Sequence, residues 1–435
     1  RGTILMAHTT SAKPGIYFGW YIVAAFFFFA LLTNGVRSAF GIFVIPMSEE
    51  FGWSRGSISL AAALGTLVNG ATQPFLGRLY DGIGGRRVII PGLIVIGLAT
   101  VFLSLTFHIL FLVFMFGFAF GPAFSAASQS NTGAMLARWF RRQRATVLGL
   151  NAGGASAGGL VVVPLAMYLL QATNWRLTWA VLGLIILVLA VPLAFVFIRD
   201  DPATMGLHPD GDVEPPESST NGTLNRGRGP LEVDRWAQSF RSWPIWQVTM
   251  SYMACGATSF LLSVHFVPYA IERGFSPITA AAAFGLMAGL SVFGAIGAGM
   301  IADRFGRKNL LALVYFMRGT AFVLLLLIPG DMALWAFAIV AGFSWWATNP
   351  LTTSLTADFY GLRALGTITG VTSVFHSAAG FTSIWLAGIL FDLTGSYTVP
   401  FAIAGSLLFP AALSAFTVKE RKYSSRYQLA PAAGN

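Results

Sequence analysis

An internal repeat limits what this chain can fold into more than any other feature of its sequence. The segment FVIPMSEEFGWS at residues 43–54 returns 222 positions later as HFVPYAIERGFS at residues 265–276. Pro46 coincides with Pro268, and Glu50 coincides with Glu272. A duplication over this distance predicts two halves with the same fold, and membrane proteins built in this way commonly enclose a site between their halves.

The composition places both halves in a membrane. Only 10% of the residues are charged, 55% are hydrophobic, and the mean hydropathy is +0.70. A soluble chain of 435 residues could not cover its surface with so few charges. A membrane-spanning helix needs about 20 apolar residues. The sequence contains twelve such stretches: 18–46, 57–80, 88–107, 109–137, 145–171, 176–198, 244–271, 277–301, 309–329, 332–357, 365–391 and 398–417.

The predicted fold is therefore an all-α membrane protein with twelve transmembrane helices in two pseudo-symmetric six-helix bundles. A polar stretch rich in Asp, Glu, Pro, Gly and Ser follows the sixth apolar segment and predicts a flexible linker. The predicted regions are a cytoplasmic N-terminus (1–17), an N-terminal bundle (18–198), the linker (199–241), a C-terminal bundle (242–418) and a cytoplasmic tail (419–435).

The distribution of basic residues predicts the orientation in the membrane. If both termini lie inside, 22 of the 27 lysines and arginines fall on the cytoplasmic side, in agreement with the excess of basic residues in cytoplasmic loops. This bias predicts a multi-pass protein of the plasma (inner) membrane with cytoplasmic N and C termini. The net charge of +10 is then explained by contact with the lipid bilayer, and no nucleic acid partner is expected.

One motif occurs after the second predicted helix of each half. The pattern G-x-L-x-D-x-x-G-x-R is GRLYDGIGGR at residues 77–86, and its second copy is GMIADRFGRK at residues 299–308. Together with twelve predicted helices, this duplicated motif resembles the signature of the major facilitator superfamily. The resemblance implies a latch of the outward-open state, formed by Gly77, Asp81, Arg86, Arg87, Asp303, Arg307 and Lys308. The alternative is an ordinary helix-capping aspartate beside basic residues of a cytoplasmic loop.

A second resemblance concerns the fifth predicted helix. The segment WFRRQR at residues 139–144, followed by Gly149, Gly154 and Gly158, is similar to a motif of the monocarboxylate-porter group within that superfamily. Small residues at this spacing allow helix backbones to approach closely. Two charged residues of that group are absent, with Gly15 and Ala295 at their places. The resemblance implies a small carboxylate as the substrate.

Charged side chains within the predicted helices indicate a binding site, because each is costly to place in a membrane. All 17 Asp and Glu residues can be placed in loops or at helix ends, whereas Arg37 and Arg318 lie within the first and ninth helices. Two uncompensated cations predict an anionic substrate, since guanidinium binds a carboxylate through two hydrogen bonds. Arg37 is the stronger candidate, with Asn34 one turn away on the same face. The alternatives are that Arg37 extends to the outer interface and that Arg318 is structural.

Uncharged polar residues complete the predicted site. His376 and His265 are the candidates for carrying a proton, because imidazole titrates near physiological pH. For each histidine the alternative is a buried neutral ring that is bonded to a carbonyl. Asn349 and Gln129 are expected to line the pocket with the residues above, although hydrogen bonding between helices would also explain them.

Other functional classes find no support in the sequence. It contains no Walker motif, no cluster of metal ligands and no nucleophile–base pair, so no catalysis, cofactor or metal is expected. The prediction is a monomeric secondary transporter that moves a small organic anion, in the simplest case a monocarboxylate, by alternating access with proton symport. Two alternatives stay open: an exporter of hydrophobic drugs or carrier of neutral solutes with structural arginines, and a transporter-like sensor.

Overall fold

Long helices account for most of the chain. The computed structural model describes residues 16–140, 143–211, 230–231, 235–328, 330–361 and 365–424, apart from the side chains at 144, 145, 211, 299, 303–305 and 366. Within these residues, the first half contains α1 (Phe18–Phe51), α2 (Arg55–Ile83), α3 (Gly85–Leu103), α4 (Ile109–Trp139), α5 (Arg144–Ala172) and α6 (Trp175–Phe197). The second half contains α7 (Trp243–Glu272), α8 (Pro277–Phe305), α9 (Arg307–Leu327), α10 (Asp331–Trp345 and Thr348–Tyr360), α11 (Leu365–Thr394) and α12 (Thr398–Thr417).

The predicted fold of twelve helices in two six-helix bundles is confirmed. Successive helices run in opposite directions, so the bundle has two ends. We call the end with the α6–α7 connection the linker side, and the opposite end, with the α1–α2 and α7–α8 turns, the far side. Most of the predicted N-terminus and tail, and residues 212–229 and 232–234 of the predicted linker, lie outside the described residues.

Two helices differ from the others in polarity or continuity. Ten of the twelve helices in the described residues are long and apolar enough to span a membrane, and the exceptions are α2 and α10. Helix α2 carries Thr66, Asn69 and Gln73 in its middle. Helix α10 is divided into pieces of 15 and 13 residues. Both helices face the interior between the halves, where polar side chains and interrupted backbone are tolerated because they do not contact lipid.

The interruptions of the helices follow the internal repeat. Helix α10 breaks at Trp346 and Ala347, and its counterpart α4 breaks at Ala127 and Ser128. Each break leaves backbone groups of the preceding turn without partners in the helix. Transporters commonly place discontinuous helices beside their binding site for this reason. The two breaks therefore mark the level of the membrane at which a site is expected.

The turn into the third helix of each half is also duplicated. Gly84 and Gly306 have nearly equal dihedral angles, φ 93° and ψ 150° against φ 90° and ψ 156°. A side chain would be strained at this positive φ, which explains the glycines. In the first half Asp200 accepts a hydrogen bond from the Arg86 N–H at 2.8 Å. In the second half Glu420 accepts from two N–H groups at the start of α9, at 3.0 and 3.1 Å. A carboxylate after the last helix thus caps the third helix of each half.

Glycines bring α5 close to α1. A methyl group added at Gly158 would lie 2.7 Å from the Gly35 nitrogen, and one at Gly154 would lie 2.9 Å from the Phe27 Cα. At Gly149, by contrast, an added methyl group would meet nothing within 4 Å. Close packing therefore requires glycine at two of the three positions of the predicted motif.

This difference gives a test of the packing. Gly158→Ala should lower the melting temperature of the purified protein by several degrees, because overpacking of a tight contact costs about 1–3 kcal/mol. Gly149→Ala is the matched control and should leave the melting temperature unchanged or slightly higher, since alanine favours a helix more than glycine does. Equal melting temperatures for the two variants would contradict the close α1–α5 contact.

Candidate functional site

A central cavity lies between the two halves. It encloses about 920 Å³, including open space at its mouth, and eight helices contribute to its wall: α1, α2, α4 and α5 from the first half and α7, α8, α10 and α11 from the second. Four of the predicted site residues line it: Asn34, Arg37, Asn349 and His376. Both halves thus contribute side chains to one space, which is where sites of proteins with such repeats commonly lie.

Arg37 is the only cation among the described residues that line this cavity. Its Nη2 donates a long hydrogen bond of 3.4 Å to Thr66 Oγ1. Its Cζ lies 4.7 Å from the ring centre of Phe124 and 5.2 Å from that of Phe260, one ring from each half. No carboxylate of the described residues pairs with Arg37. The guanidinium thus reaches the cavity, and most of its hydrogen-bonding capacity is available to a ligand.

A second cavity continues from Arg37 toward the linker side. Asn34, Arg37 and Trp346 line both cavities. Gln129 lies in the second cavity, at the break in α4, and its buried Nε2 has no hydrogen-bond partner among the described residues. The Asn34 side chain donates to Ala30 O of its own helix at 3.0 Å. Arg37 therefore lies where the two cavities join, with an unsatisfied amide donor further along the second cavity.

His376 belongs to an aromatic and polar chain that connects three helices of the second half. Its ring stacks on Tyr252, with centres 4.2 Å apart and an angle of 26°, and it meets Phe260 edge to face at 5.3 Å. Tyr252 Oη donates to Asn349 Oδ1 at 2.7 Å. Because Phe260 touches both Arg37 and His376, one ring connects the arginine of the first half with the histidine of the second.

His265 lies outside both cavities. Its side chain is fully buried on the far side, where Nε2 lies 2.9 Å from Ile384 O and Nδ1 lies 3.2 Å from Tyr397 Oη. Because a carbonyl oxygen can only accept, Nε2 carries the hydrogen, and Nδ1 accepts from the tyrosine. Both nitrogens are satisfied in the neutral ring, so the geometry matches the structural alternative.

Arg318 is also fully buried, behind the wall of the central cavity. Its Nη2 donates to Ser344 O and to Trp345 O, the latter at 2.8 Å, and its Nη1 donates to Ser259 Oγ at 3.3 Å. These carbonyls belong to the last turn before the break in α10, where helical partners are missing. Arg318 therefore connects α9 to the broken end of α10 and to α7, and it does not line either cavity.

The first copy of the duplicated motif lies on the linker side. Asp81 and Arg87 are exposed there, and an added methyl group at Gly77 would meet nothing within 4 Å. Arg86 points the other way, and its Nη1 donates to the carbonyl oxygen of Ile198 at the end of α6, at 2.9 Å. Of Gly77, Asp81, Arg86 and Arg87, it is Arg86 that connects α3 with α6 of its own half.

The second copy repeats this pattern. Lys308, the counterpart of Arg86, donates through Nζ to Phe416 O of α12 at 3.0 Å. Arg307 forms an ion pair with Asp358 of α10. The side chain of Asp303 lies outside the described part of the structure. Arg86, Arg307 and Lys308 therefore connect helices of a single half.

Several residues in or beside the two cavities had no signal in the sequence. Phe124 and Phe260 are two of 38 phenylalanines, and nothing in the local pattern separates them from those that face lipid. Tyr252 and Thr66 were equally inconspicuous. Their importance follows from contacts between helices that are distant in sequence.

Comparison with known proteins agrees with this architecture. A sequence model of the Major Facilitator Superfamily matches residues 23–384. The uncharacterized MFS-type transporter YcxA of Bacillus subtilis is 23% identical over 393 residues, which cover 88% of this chain and 91% of that protein. Monocarboxylate transporter 13 of Rattus norvegicus is 25% identical, with 93% and 89% covered, and monocarboxylate transporter 11 of Homo sapiens is 27% identical, with 93% and 83% covered.

A solved structure shares the fold. The crystal structure of a bacterial homolog of the human lysosomal transporter Spinster, in an inward-facing and unoccupied conformation, matches with a TM-score of 0.71. The sequence identity is 16%, and the match covers 96% of this chain and 100% of that chain. At this identity the likeness concerns the fold alone.

The two arginines should respond differently to the same substitution. Arg318→Gln should lower the melting temperature strongly, because each buried group left without a partner costs about 1–3 kcal/mol. Arg37→Gln should keep or raise the melting temperature, since Arg37 makes one long hydrogen bond and carries a charge in an apolar region. Thermal unfolding in one detergent tests both variants. A stable Arg318→Gln variant, or an unstable Arg37→Gln variant, would contradict these roles.

Proposed function

We propose that this chain, which belongs to the major facilitator superfamily, carries a small organic anion, in the simplest case a monocarboxylate, across the membrane by alternating access. The observation that carries the proposal is Arg37, a guanidinium in the cavity between the halves with no carboxylate partner among the described residues. A bound carboxylate would compensate this charge through two parallel hydrogen bonds. The names of the monocarboxylate transporters that this chain resembles agree with such a substrate.

The rest of the cavity wall favours an anion without a positive group. Its described lining contains no Asp or Glu, so the ammonium group of an amine or amino acid would be buried without a counter-charge. Apolar side chains such as Phe40, Phe116 and Val264 form much of the remaining wall. A carboxylate with a short apolar body therefore suits the cavity better than a zwitterion or a sugar.

The proton of the proposed symport is assigned to His376 or to the substrate itself. His376 lines the same cavity as Arg37, and Phe260 lies between them. A protonated imidazole would add a second positive charge for the anion, and loss of that proton would weaken binding. Proton-coupled uptake would then be favoured by low pH on the side from which the substrate enters.

The orientation follows from the basic residues. If the linker side is cytoplasmic, the described conformation is closed toward the outside, and its second cavity leads from Arg37 toward the cytoplasm. We propose a monomer in the plasma membrane with both termini inside. The exposed Asp81, together with Asp303, is then assigned to a latch that forms when the linker side closes.

Uptake by proteoliposomes tests the anion site. Arg37→Gln should abolish uptake of short monocarboxylates, and Arg37→Lys should weaken it at least tenfold, because lysine keeps the charge but loses the two parallel hydrogen bonds. Arg176→Gln is the matched control, since Arg176 pairs with Glu50 of its own half on the far side. Normal uptake by Arg37→Gln would overturn the proposal. Uptake of amines or neutral solutes that does not depend on Arg37 would support the alternative carriers instead.

The pH dependence tests the proton site. Uptake by the wild type should rise as the external pH falls, because a proton enters together with the anion. In His376→Gln this rise should flatten while exchange of internal for external anion continues. His108→Gln on the far side is the control and should keep the wild-type profile. An unchanged profile in His376→Gln would remove His376 from the mechanism and leave the substrate as the proton carrier.

A further inference from the structure

On the far side, a carboxylate of the second half caps a helix of the first half. Asp392, near the end of α11, accepts hydrogen bonds from the backbone N–H groups of Arg55 at 2.9 Å and of Gly56 at 2.8 Å, one on each carboxylate oxygen. These two N–H groups open α2 and have no partners within the helix. The start of a helix also carries partial positive charge, which strengthens its interaction with a carboxylate.

Asp392 completes a cap that the first half cannot complete alone. Ser54, the residue before α2, accepts from the Ser57 N–H through its hydroxyl group at 3.2 Å, and does not reach the N–H groups of Arg55 and Gly56. The remaining donors of the first turn face α11. Without Asp392, the N–H groups of Arg55 and Gly56 would need water in its place. These two N–H groups at the start of α2 therefore have a partner within the protein only while the two halves are together on this side.

The side chain of Arg55 adds a second connection. Its Nη1 lies 2.7 Å from Glu272 Oε1 at the end of α7, and both side chains are largely buried, with exposed fractions of 15% and 24%. Its Cζ also lies 3.8 Å from the ring centre of Phe391, next to Asp392. Partial burial reduces screening by water and salt, so this pair counts for more than a fully exposed one. One residue of α2 is thus held by both α7 and α11.

Two glycines allow this arrangement. A methyl group on Gly388 of α11 would lie 2.7 Å from the Gly56 Cα and 2.9 Å from Arg55 O. The helices therefore touch at backbone distance one turn before Asp392, which lets a short aspartate side chain reach the first turn of α2.

The internal repeat does not duplicate this cap. Helix α5 corresponds to α11, and at the offset of 221 that relates Gly149 to Gly370, Asp392 corresponds to Gln171. A glutamine carries no charge to attract a helix start. The first half therefore has no second copy of the Asp392 carboxylate, and the contact is not a by-product of the duplicated fold.

We propose that Asp392 is a gate residue of the transport cycle: it stabilises the conformation closed on the far side by capping α2 across the two halves, and this cap must break when the far side opens. Helices α2 and α11 run antiparallel, so the end of α2 and the start of α11 both lie on the linker side. There α2 ends near Asp81, exposed in this conformation, and α11 begins. If Asp81 caps the start of α11 when the linker side closes, as the proposed latch implies, the pair forms one carboxylate cap at a time, on whichever side is closed.

Accessibility of the cavity from the far side tests this gate. In a Cys255→Ser background, Ser263→Cys places a thiol in the cavity wall on α7. A membrane-impermeant thiol reagent is applied to the far side of sealed vesicles of known orientation. Asp392→Asn should increase the labelling rate about tenfold, because the negative charge and one of the two hydrogen-bond acceptors of the cap are lost. Asp392→Glu should fall between the two, since it keeps the charge on a longer side chain.

Matched variants distinguish loss of the Asp392 gate from a general loosening of the folded structure. Asp331→Asn removes a far-side carboxylate of α10 and should label like the wild type. Asp81→Asn should label more slowly than the wild type, and the double variant with Asp392→Asn should return toward the wild-type rate. Melting temperatures and complete labelling by a permeant reagent check that each variant is folded.

A wild-type labelling rate in folded Asp392→Asn would overturn the proposal, as would an equal increase in Asp331→Asn. The gate rests on the proposed alternating access, but labelling needs no substrate. It can therefore fail while Arg37-dependent uptake persists, and uptake of monocarboxylates can fail while the gate is upheld.

Discussion

Every backbone N–H and C=O group in a membrane must find a partner within the protein, and this constraint organises the described structure. Helices meet it along their length but not at their ends or breaks. Side chains satisfy the remaining groups: Asp200 and Glu420 cap the third helix of each half, and Arg318 bonds the carbonyl oxygens before the break in α10. Asp392 does the same for α2, but from the opposite half. Asp200 and Glu420 thus cap helices of their own half, whereas Asp392 caps a helix of the other half.

The same constraint explains why two arginines in apolar helices differ so much. Arg318 is surrounded by acceptors that the broken α10 has left without helical partners, so its charge is satisfied by neutral groups and its side chain is fixed. Arg37 contacts two aromatic rings and donates one long hydrogen bond, of 3.4 Å, to a hydroxyl group. Its unsatisfied hydrogen-bonding capacity faces the cavity, so a ligand can compete for it.

The two halves share a fold, but the ionisable side chains of the central cavity lie at positions where their sequences differ. Arg37 corresponds to Ser259 at the offset of 222, and His376 corresponds to Ala155 at the offset of 221. All four residues line the central cavity. The repeat therefore brings equivalent positions to one space, while only one of each pair carries an ionisable group. A site built in this way is asymmetric across the membrane even though its scaffold is nearly symmetric.

The sequence by itself determined the number of helices, their approximate limits, the pseudo-symmetry and the two arginines within the membrane. The length of apolar segments, the repeat and the rarity of charged residues can all be recognised along the linear sequence. It also brought Asn34, Arg37, Asn349 and His376 together as candidates. It ranked Arg37 above Arg318, but it could not show that Arg318 lies behind the cavity wall, find Phe260 or Tyr252 among so many aromatic residues, or assign Asp392 to the first turn of α2. Those features depend on which groups are left without partners where distant helices meet, and only the tertiary structure decides that.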